Sequence, residues 1–301
     1  MTVRRISAIP APAFLLPCRC ATFPTQGDLK PHSFPKRFAT GGIRVQLTKL
    51  KVADVELELF DSGQGRPVLF LHGSEGFDRR QPFVTFLSEK RRIVAPSHPG
   101  FGKSDLPDWL DSVEDIAHLY LELMDLLKFD CVDLVGCSIG GWIAAEMATK
   151  SPERFRRVVL VGPVGIKVGS SDKLDIPDIF AMPESEVQKL LYNDPERMKP
   201  DIAKMSDDEL AGMFRARETL ALLTWEPWMH NPKLRRRLHR VAAPALFIRG
   251  ESDGLVSQTY LDGYSRMLPD ARTLTIKAAG HMPQLEQPAV FATTVLQFLG
   301  E

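Results

Sequence analysis

The run Asp133-Leu134-Val135-Gly136-Cys137-Ser138-Ile139-Gly140-Gly141-Trp142 contains the residue whose type and setting most directly promise chemistry. Glycines two places either side of Ser138 permit a turn so tight that Cβ atoms there would collide, and such a turn lifts the serine hydroxyl clear of the backbone. The expectation is a nucleophile elbow. A buried strand through Cys131-Val132-Asp133-Leu134-Val135 leads to Ser138, and a helix follows in which Ile143, Ala144, Met147 and Ala148 keep a helical period up to the Ser151-Pro152 break. A serine hydroxyl is a poor nucleophile until a base takes its proton, and a third group must hold that base in the right tautomer. A histidine and a carboxylate are therefore required.

In sheets built from alternating strands and helices, active groups lie at the carboxyl ends of strands. His281 follows the strand-like Arg272-Thr273-Leu274-Thr275-Ile276-Lys277 and precedes the last helix, so it is the expected base. His32 lies in the N-terminal tail, His118 in a covering helix, and His230 and His239 in an insertion. His72 and His98 stand at strand ends but precede the serine, which suits bracing the loop on the oxyanion side better than reacting. Asp253, just after the strand Ala245-Leu246-Phe247-Ile248, is the expected acid, with Glu251 in the same turn as runner-up. Attack on a carbonyl also needs donors aimed at the oxygen that turns negative. The Ile139 amide is the natural first donor. The second is expected from Leu71-His72-Gly73-Ser74-Glu75-Gly76, with the Ser74 amide first and Gly73 next.

The elements that must position these groups are legible as well. Val45 to Val52 and Val55 to Phe60 alternate apolar and polar residues, as half-exposed strands of a hairpin do. Val68 to Leu71, Ile93 to Ala95, Val132 to Val135, Val158 to Val161 and Ala245 to Ile248 are short apolar runs separated by helical patterns, which predicts parallel strands covered on both faces. Leu119 to Leu127 and Ala289 to Leu299 read as two covering helices. Between Ile166 and Arg240 the alternation gives way to helical segments holding Met182, Met198, Met205, Met213 and Met229. A stretch that long needs structure of its own, so a helical cap over residues 167–240 is expected on a core of residues 42–166 and 241–301. One cap helix begins near Ser206 and aligns Leu210, Met213, Phe214, Arg217, Leu220 and Thr224. Arg217 on that apolar stripe needs either a buried acid or a polar substrate group, and with Trp225 and Trp228 it is a candidate for contacting substrate.

With 301 residues, 44% hydrophobic, 25% charged and a formal net charge of zero, the chain has an ordinary globular composition and carries no electrostatic footprint for nucleic acid or an anionic membrane. No run approaches the ~18 apolar residues of a membrane helix. Cys18, Cys20, Cys131 and Cys137 do not make a disulfide framework or a metal set, which suits a cytoplasmic setting. Nothing here chooses between a monomer and a homo-oligomer. The apolar stretch Ala8 to Pro17 is broken by three prolines, so residues 1–41 read as an unstructured, dispensable extension rather than a secretory signal.

Leu71-His72-Gly73, His98-Pro99-Gly100-Phe101-Gly102-Lys103-Ser104, Gly136 to Gly141, Gly250-Glu251-Ser252-Asp253 and Gly280-His281 together resemble the α/β-hydrolase superfamily, from about Val45 to the C-terminus. The resemblance implies an α/β fold with a mostly parallel, doubly wound sheet of eight strands, a helical cap, a Ser138-His281-Asp253 triad, no cofactor and no metal. It points to a serine hydrolase that cleaves a small, largely apolar carboxylic ester. A second branch, the carbon–carbon bond hydrolases of ring-cleaved aromatic compounds, commonly shows asparagine before the elbow serine and tryptophan after the histidine. This chain has Cys137 and Met282 there. A third reading is a catalytically idle receptor holding a small molecule under the cap, whose sign would be a broken triad.

Overall fold

The computed structural model describes residues 46–198 and 200–300, so the expectation of a dispensable segment over residues 1–41 lies outside the described residues. Eight strands form one sheet: β1 (Gln46–Val52), β2 (Val55–Ser62), β3 (Pro67–Leu71), β4 (Arg92–Pro96), β5 (Val132–Cys137), β6 (Phe155–Val161), β7 (Ala245–Gly250) and β8 (Ala271–Ile276). Their order is β1-β2-β4-β3-β5-β6-β7-β8. The β1–β2 and β2–β4 pairs are antiparallel and the rest are parallel. β5 is buried along its whole length, as a strand with both faces covered must be. β1 and β8 are the edges, and exposed charged residues stand on both: Lys49 and Lys51 on one, Arg272 on the other.

Successive side chains point to opposite faces of a strand, and the core divides accordingly. Leu69, Leu71, Leu134, Leu160 and Phe247 join a cluster with the buried sides of α2 (Val113–Leu126) and α3 (Ile139–Lys150). Phe70 packs instead on Phe83 of α1 (Pro82–Ser88), which meets Phe291 of α9 (Pro288–Leu299) edge to face, ring centres 5.8 Å apart. Among the described residues no helix is long and apolar enough to cross a membrane.

The residues between β6 and β7 are helical, as expected: α4 (Glu184–Leu191), α5 (Pro195–Met198) and α6 (Asp207–Thr224). α6 opens on a capping box, in which the Ser206 hydroxyl and the Glu209 carboxylate each satisfy the other's backbone amide. Its predicted stripe is only partly buried. Leu220 and Thr224 are covered while Phe214 is 65% exposed, so the apolar face turns inward only over the last two turns. Residues 229–238 are tied to the core. The Gly165 amide donates to Met229 O (3.0 Å), the Asn231 amide donates to Gly165 O (2.9 Å), and Leu234 and Leu238 are fully buried. Asn231 Nδ2 also donates to the buried Glu146 of α3 at 2.7 Å, while Lys150 and Arg237 converge on Glu114 of α2. Against the upward push of burial, those two cations hold the Glu114 carboxyl down at about 2.

Two features fix the loops at the carboxyl edge of the sheet. After β3 and β4, His72 and His98 stack with ring centres 3.7 Å apart. The His98 amide donates to His72 Nε2 (2.9 Å), so His72 carries its proton on Nδ1 and donates to Gly73 O (2.7 Å). His98 Nε2 then donates to His72 O (2.8 Å), and His98 Nδ1 accepts from the Tyr120 hydroxyl (2.6 Å). On the other side, the end of α4 clips onto the loops after β7 and β8, the two strands that α7 (Gln258–Ser265) connects. Gly254 donates to Leu190 O (2.9 Å) and His281 donates its amide to Leu191 O (2.7 Å). Glu286 of α8 (Pro283–Glu286) collects the amides of Gly280 (2.5 Å), Asn193 (3.0 Å) and Asp194 (3.1 Å).

Two outcomes are expected. Burial, opposed by the Gly73 hydrogen bond, lowers the His72 pKa to about 4, and burial with the neighbouring His72 takes His98 well below its ordinary value. Both rings are neutral when folded but accept protons near ~6.5 when unfolded, so the unfolded chain binds more protons and stability falls as pH drops below about 6.5 toward 4. Urea unfolding between pH 7.5 and 5 should show a loss approaching about 2.7 kcal/mol per pH unit for two protons. His72→Asn should remove up to half of that slope, and an unchanged slope would show that the rings are not held neutral. His281 acts in the opposite sense, because its raised pKa gives stability that is lost only as pH climbs above about 6.5. Separately, Glu286→Ala strands three amides, so it should cost about 2–4 kcal/mol by denaturant unfolding and speed hydrogen exchange at Gly280, Asn193 and Asp194.

Candidate active site

Ser138 stands between β5 and α3 at φ 51° and ψ −116°, a strained region for a residue with a Cβ. The strain persists because the turn is held from three sides: the Ser138 amide donates to Val161 O (2.8 Å), and Ser138 O accepts from Gly141 (3.0 Å) and Trp142 (3.2 Å). The flanking glycines have the role expected of them. A Cβ at Gly136 would overlap the backbone of Gly140, and one at Gly140 would overlap the carbonyl oxygens of Leu71 and His72. The elbow therefore packs directly on the loop that follows β3.

His281 and Asp253 arrive from the loops after β8 and β7, and the structure brings both to Ser138. His281 Nε2 lies 3.0 Å from Ser138 Oγ, and Nδ1 lies 3.0 Å from Asp253 Oδ2. The second Asp253 oxygen accepts from the amides of Leu255 (2.9 Å) and Val256 (2.8 Å), so this buried carboxylate is fully engaged and its orientation is fixed. Burial alone would lower the His281 pKa. The charge and hydrogen bond of Asp253, with a further push from Glu75, outweigh it and leave the imidazole raised. Glu251, the alternative acid, is exposed and not part of this chain of contacts.

Ile139 is the first residue of α3, so its amide has no acceptor within the helix. Ser74 lies in the loop after β3 with partial solvent access. No hydrogen bond runs from its amide to another described residue. The His72 and His98 rings brace that loop through backbone groups rather than reaching the serine, as expected of them.

The three cap candidates are occupied elsewhere. Arg217 reaches Glu184 at 3.5 Å, donates to Ile179 O (3.2 Å) and sits 5.3 Å from the centre of the Phe180 ring. Its acid is thus an exposed one within the cap, which corrects the expectation of a buried partner. Trp228 donates to Ile176 O (2.9 Å) and packs edge to face on Phe180 and on Trp225, which is itself 57% exposed. No hydrogen bond or ring contact joins these three to the triad. Nor does a depression of about 520 Å³ lined by Lys167, His230, Pro232, Arg235 and Arg236 contain any predicted site residue.

Sequence reasoning missed Glu75, Gln284, Tyr192 and Glu286. Gln284 donates to Glu75 Oε1 (3.1 Å), and the Tyr192 hydroxyl to the sulfur of buried Met282 (3.5 Å). Only the acidic residue inside the oxyanion-loop motif offered a signal, because the rest depend on contacts across long sequence separations. Among the described residues, no group of three or more His, Cys, Asp and Glu side chains is placed to hold a metal ion.

Comparison with known proteins bears on the family and the fold. The chain is 28% identical over 273 residues to a 2-hydroxymuconate semialdehyde hydrolase of Pseudomonas sp. (strain CF600), covering 83% of this chain and 92% of that one. It is 26% identical over 265 residues to a pimeloyl-[acyl-carrier protein] methyl ester esterase of Legionella pneumophila (strain Paris), covering 81% and 100%. The solved 2-hydroxy-6-oxo-6-phenylhexa-2,4-dienoate hydrolase of Rhodococcus sp. strain RHA1 superposes with a TM-score of 0.69 at 19% identity, covering 86% and 100%, which bears on the fold. The sequence profile of the alpha/beta hydrolase family matches residues 68–294, three-quarters of the sequence, and the chain belongs to that family.

Proposed function

We propose that the protein is a cofactor-free serine hydrolase of a small, largely apolar carboxylic ester, working through an acyl-enzyme in the cytoplasm. The observation that carries this reading is the continuous relay from Ser138 Oγ through His281 to Asp253, with both links at 3.0 Å. Asp253 keeps the imidazole proton on Nδ1, leaving Nε2 free to take the serine proton as Oγ attacks the ester carbon. The carbonyl oxygen becomes negative and is met by the amides of Ile139 and Ser74. Collapse expels the alcohol, which leaves with the proton held on Nε2. Water, deprotonated by the same nitrogen, then attacks the acyl group and releases the acid. The unpaired thiols of Cys131 and Cys137 fit the cytoplasmic setting.

Relatives named 2-hydroxymuconate semialdehyde hydrolase and 2-hydroxy-6-oxo-2,4-heptadienoate hydrolase favour a second reading on the same triad, cleavage of a carbon–carbon bond. That reaction must first move a proton to convert a dienol to its keto form, which calls for polar groups beyond those of an esterase. Cys137 and Met282 are both buried, and burial, with Glu75 adding, holds the Cys137 thiol well above its ordinary pKa. Neither residue supplies such a group, so the ester reading is preferred.

Ser138→Ala and His281→Ala should each abolish ester turnover without unfolding the protein, and a fluorophosphonate should label Ser138. Label on Cys137 with Ser138 untouched would falsify the assignment. Asp253→Asn should lower kcat by orders of magnitude, by analogy with ~10⁴ for the same change in a serine protease, and Glu251→Gln should do far less. Short p-nitrophenyl esters should be hydrolysed with kcat/KM at least about 100-fold above a ring-cleaved dienoate, roughly 2.7 kcal/mol of transition-state binding. Efficient dienoate cleavage beside negligible esterase activity would transfer the function to the second reading.

A further inference from the structure

Glu75 is an acidic residue in a place where the reaction develops negative charge. It directly follows Ser74, a Cα step of ~3.8 Å from the residue whose amide we assign to the oxyanion. Its side chain folds back rather than outward, since a Cβ at Gly73 would overlap the Glu75 carboxylate. From there Oε1 accepts from Gln284, three residues beyond His281. The carboxylate thus spans from the oxyanion loop to the histidine loop. Its charge is felt by His281, by Cys137 of the elbow and by Tyr192 at the end of α4. Glu75 nevertheless keeps solvent access, as a residue facing an open cleft does.

We infer that Glu75 is a specificity-determining residue of the acyl site, whose carboxylate disfavours substrates carrying an anionic group on the acyl chain and so directs the enzyme to neutral or cationic acyl groups. The inference rests on the serine hydrolase reading and refines its substrate class. An acyl carbonyl held by the Ser74 and Ile139 amides brings its chain against the Glu75 carboxylate, and at such short range even a partly hydrated carboxylate repels an anion. Burial also pushes the Glu75 carboxyl above its ordinary range, with amide hydrogen bonds, His281 and Gln284 opposing. Discrimination must therefore weaken as pH falls and the carboxyl takes up a proton. The surroundings accommodate both forms: Gln284 Oε1 is buried without a hydrogen-bond partner among the described residues, so a half-turn of the amide lets it accept from the neutral acid.

Two p-nitrophenyl esters of equal chain length test this, one acyl chain ending in a sulfonate and the other in a methyl sulfone. The measured quantity is the ratio of kcat/KM, anionic over neutral, from pH 8 to 5. Titration of His281 acts equally on both esters and cancels in the ratio. Cys137 and Tyr192 have raised pKa values and stay neutral throughout. Asp253 lies behind His281 and Glu286 faces backbone amides, so neither charge distinguishes the two esters. In the wild type the ratio should be low at pH 8 and climb toward pH 5. In Glu75→Gln it should be at least tenfold higher at pH 8 and flat. A residue that merely clips two loops would move both esters together and leave the ratio alone. If Glu75→Gln does not fold, Glu75→Ala takes its place, and a ratio at pH 8 equal to that of the wild type overturns the inference. Labelling of Ser138 by a neutral fluorophosphonate separates the failures: label with a ratio unmoved by replacing Glu75 removes the Glu75 role alone, while absence of label removes the hydrolase reading and this role with it.

Discussion

A carboxylate buried beside an imidazole is the constraint on which the rest of the structure depends. Asp253 is almost completely removed from water, and an ionised group in that position is tolerated only when its oxygens are all engaged. Two amides and the His281 ring meet that demand, and they do so only if the turn after β7 and the loop after β8 hold a fixed relation. The parallel pairing of β7 with β8 sets that relation roughly. The end of α4 and the carboxylate of Glu286 set it finely, by tying residues 190–194 to Gly254, Gly280 and His281. The insertion between β6 and β7 is thus part of the frame for the acid and the base as well as a cover for the sheet.

The same logic runs on the opposite side of the serine. The elbow packs so closely on the loop after β3 that no side chain fits at Gly140, and the stacked His72 and His98 rings hold that loop through backbone groups. The His98 amide fixes the His72 proton on Nδ1, and the His72 carbonyl in turn holds a His98 proton on Nε2, so each ring is oriented by a backbone group of the other's residue. Strain at Ser138 and desolvation at the histidines are two costs met by one packed contact.

Much of this was legible in the sequence because it is carried by local pattern. Eight strands announced themselves as short apolar or alternating runs, and Ser138, Asp253 and His281 each follow a strand within a few residues, where the topology gathers them. What periodicity cannot give is the side on which a weakly amphipathic helix is covered. The α6 stripe runs through Phe214 and Arg217 in the sequence, yet burial begins only near Thr219, and Arg217 finds the exposed Glu184 instead of a buried acid. The contacts that tie residues 229–238 to the core leave little trace in the pattern, because they are backbone hydrogen bonds at Gly165 and two isolated leucines. Glu75 and Glu286 were invisible as partners for a simpler reason: their contacts to Gln284 and Asn193 cross 209 and 93 residues of chain.

The two ends of the sheet have a consequence for how the molecule behaves in a crowd. An unpaired strand edge is a template for another strand, and open sheets that stop there are prone to aggregate unless the edge is made inhospitable. At one end β1 presents Lys49 and Lys51 on its exposed side; at the other β8 is six residues long and presents Arg272 and Thr273. A further strand docking on either edge would have to strip water from those charged side chains, and on β1 also from the Lys49–Glu56 ion pair. Exposed charge therefore guards both edges of the sheet, and this protection would weaken as salt screens the cations or as lysine modification removes them.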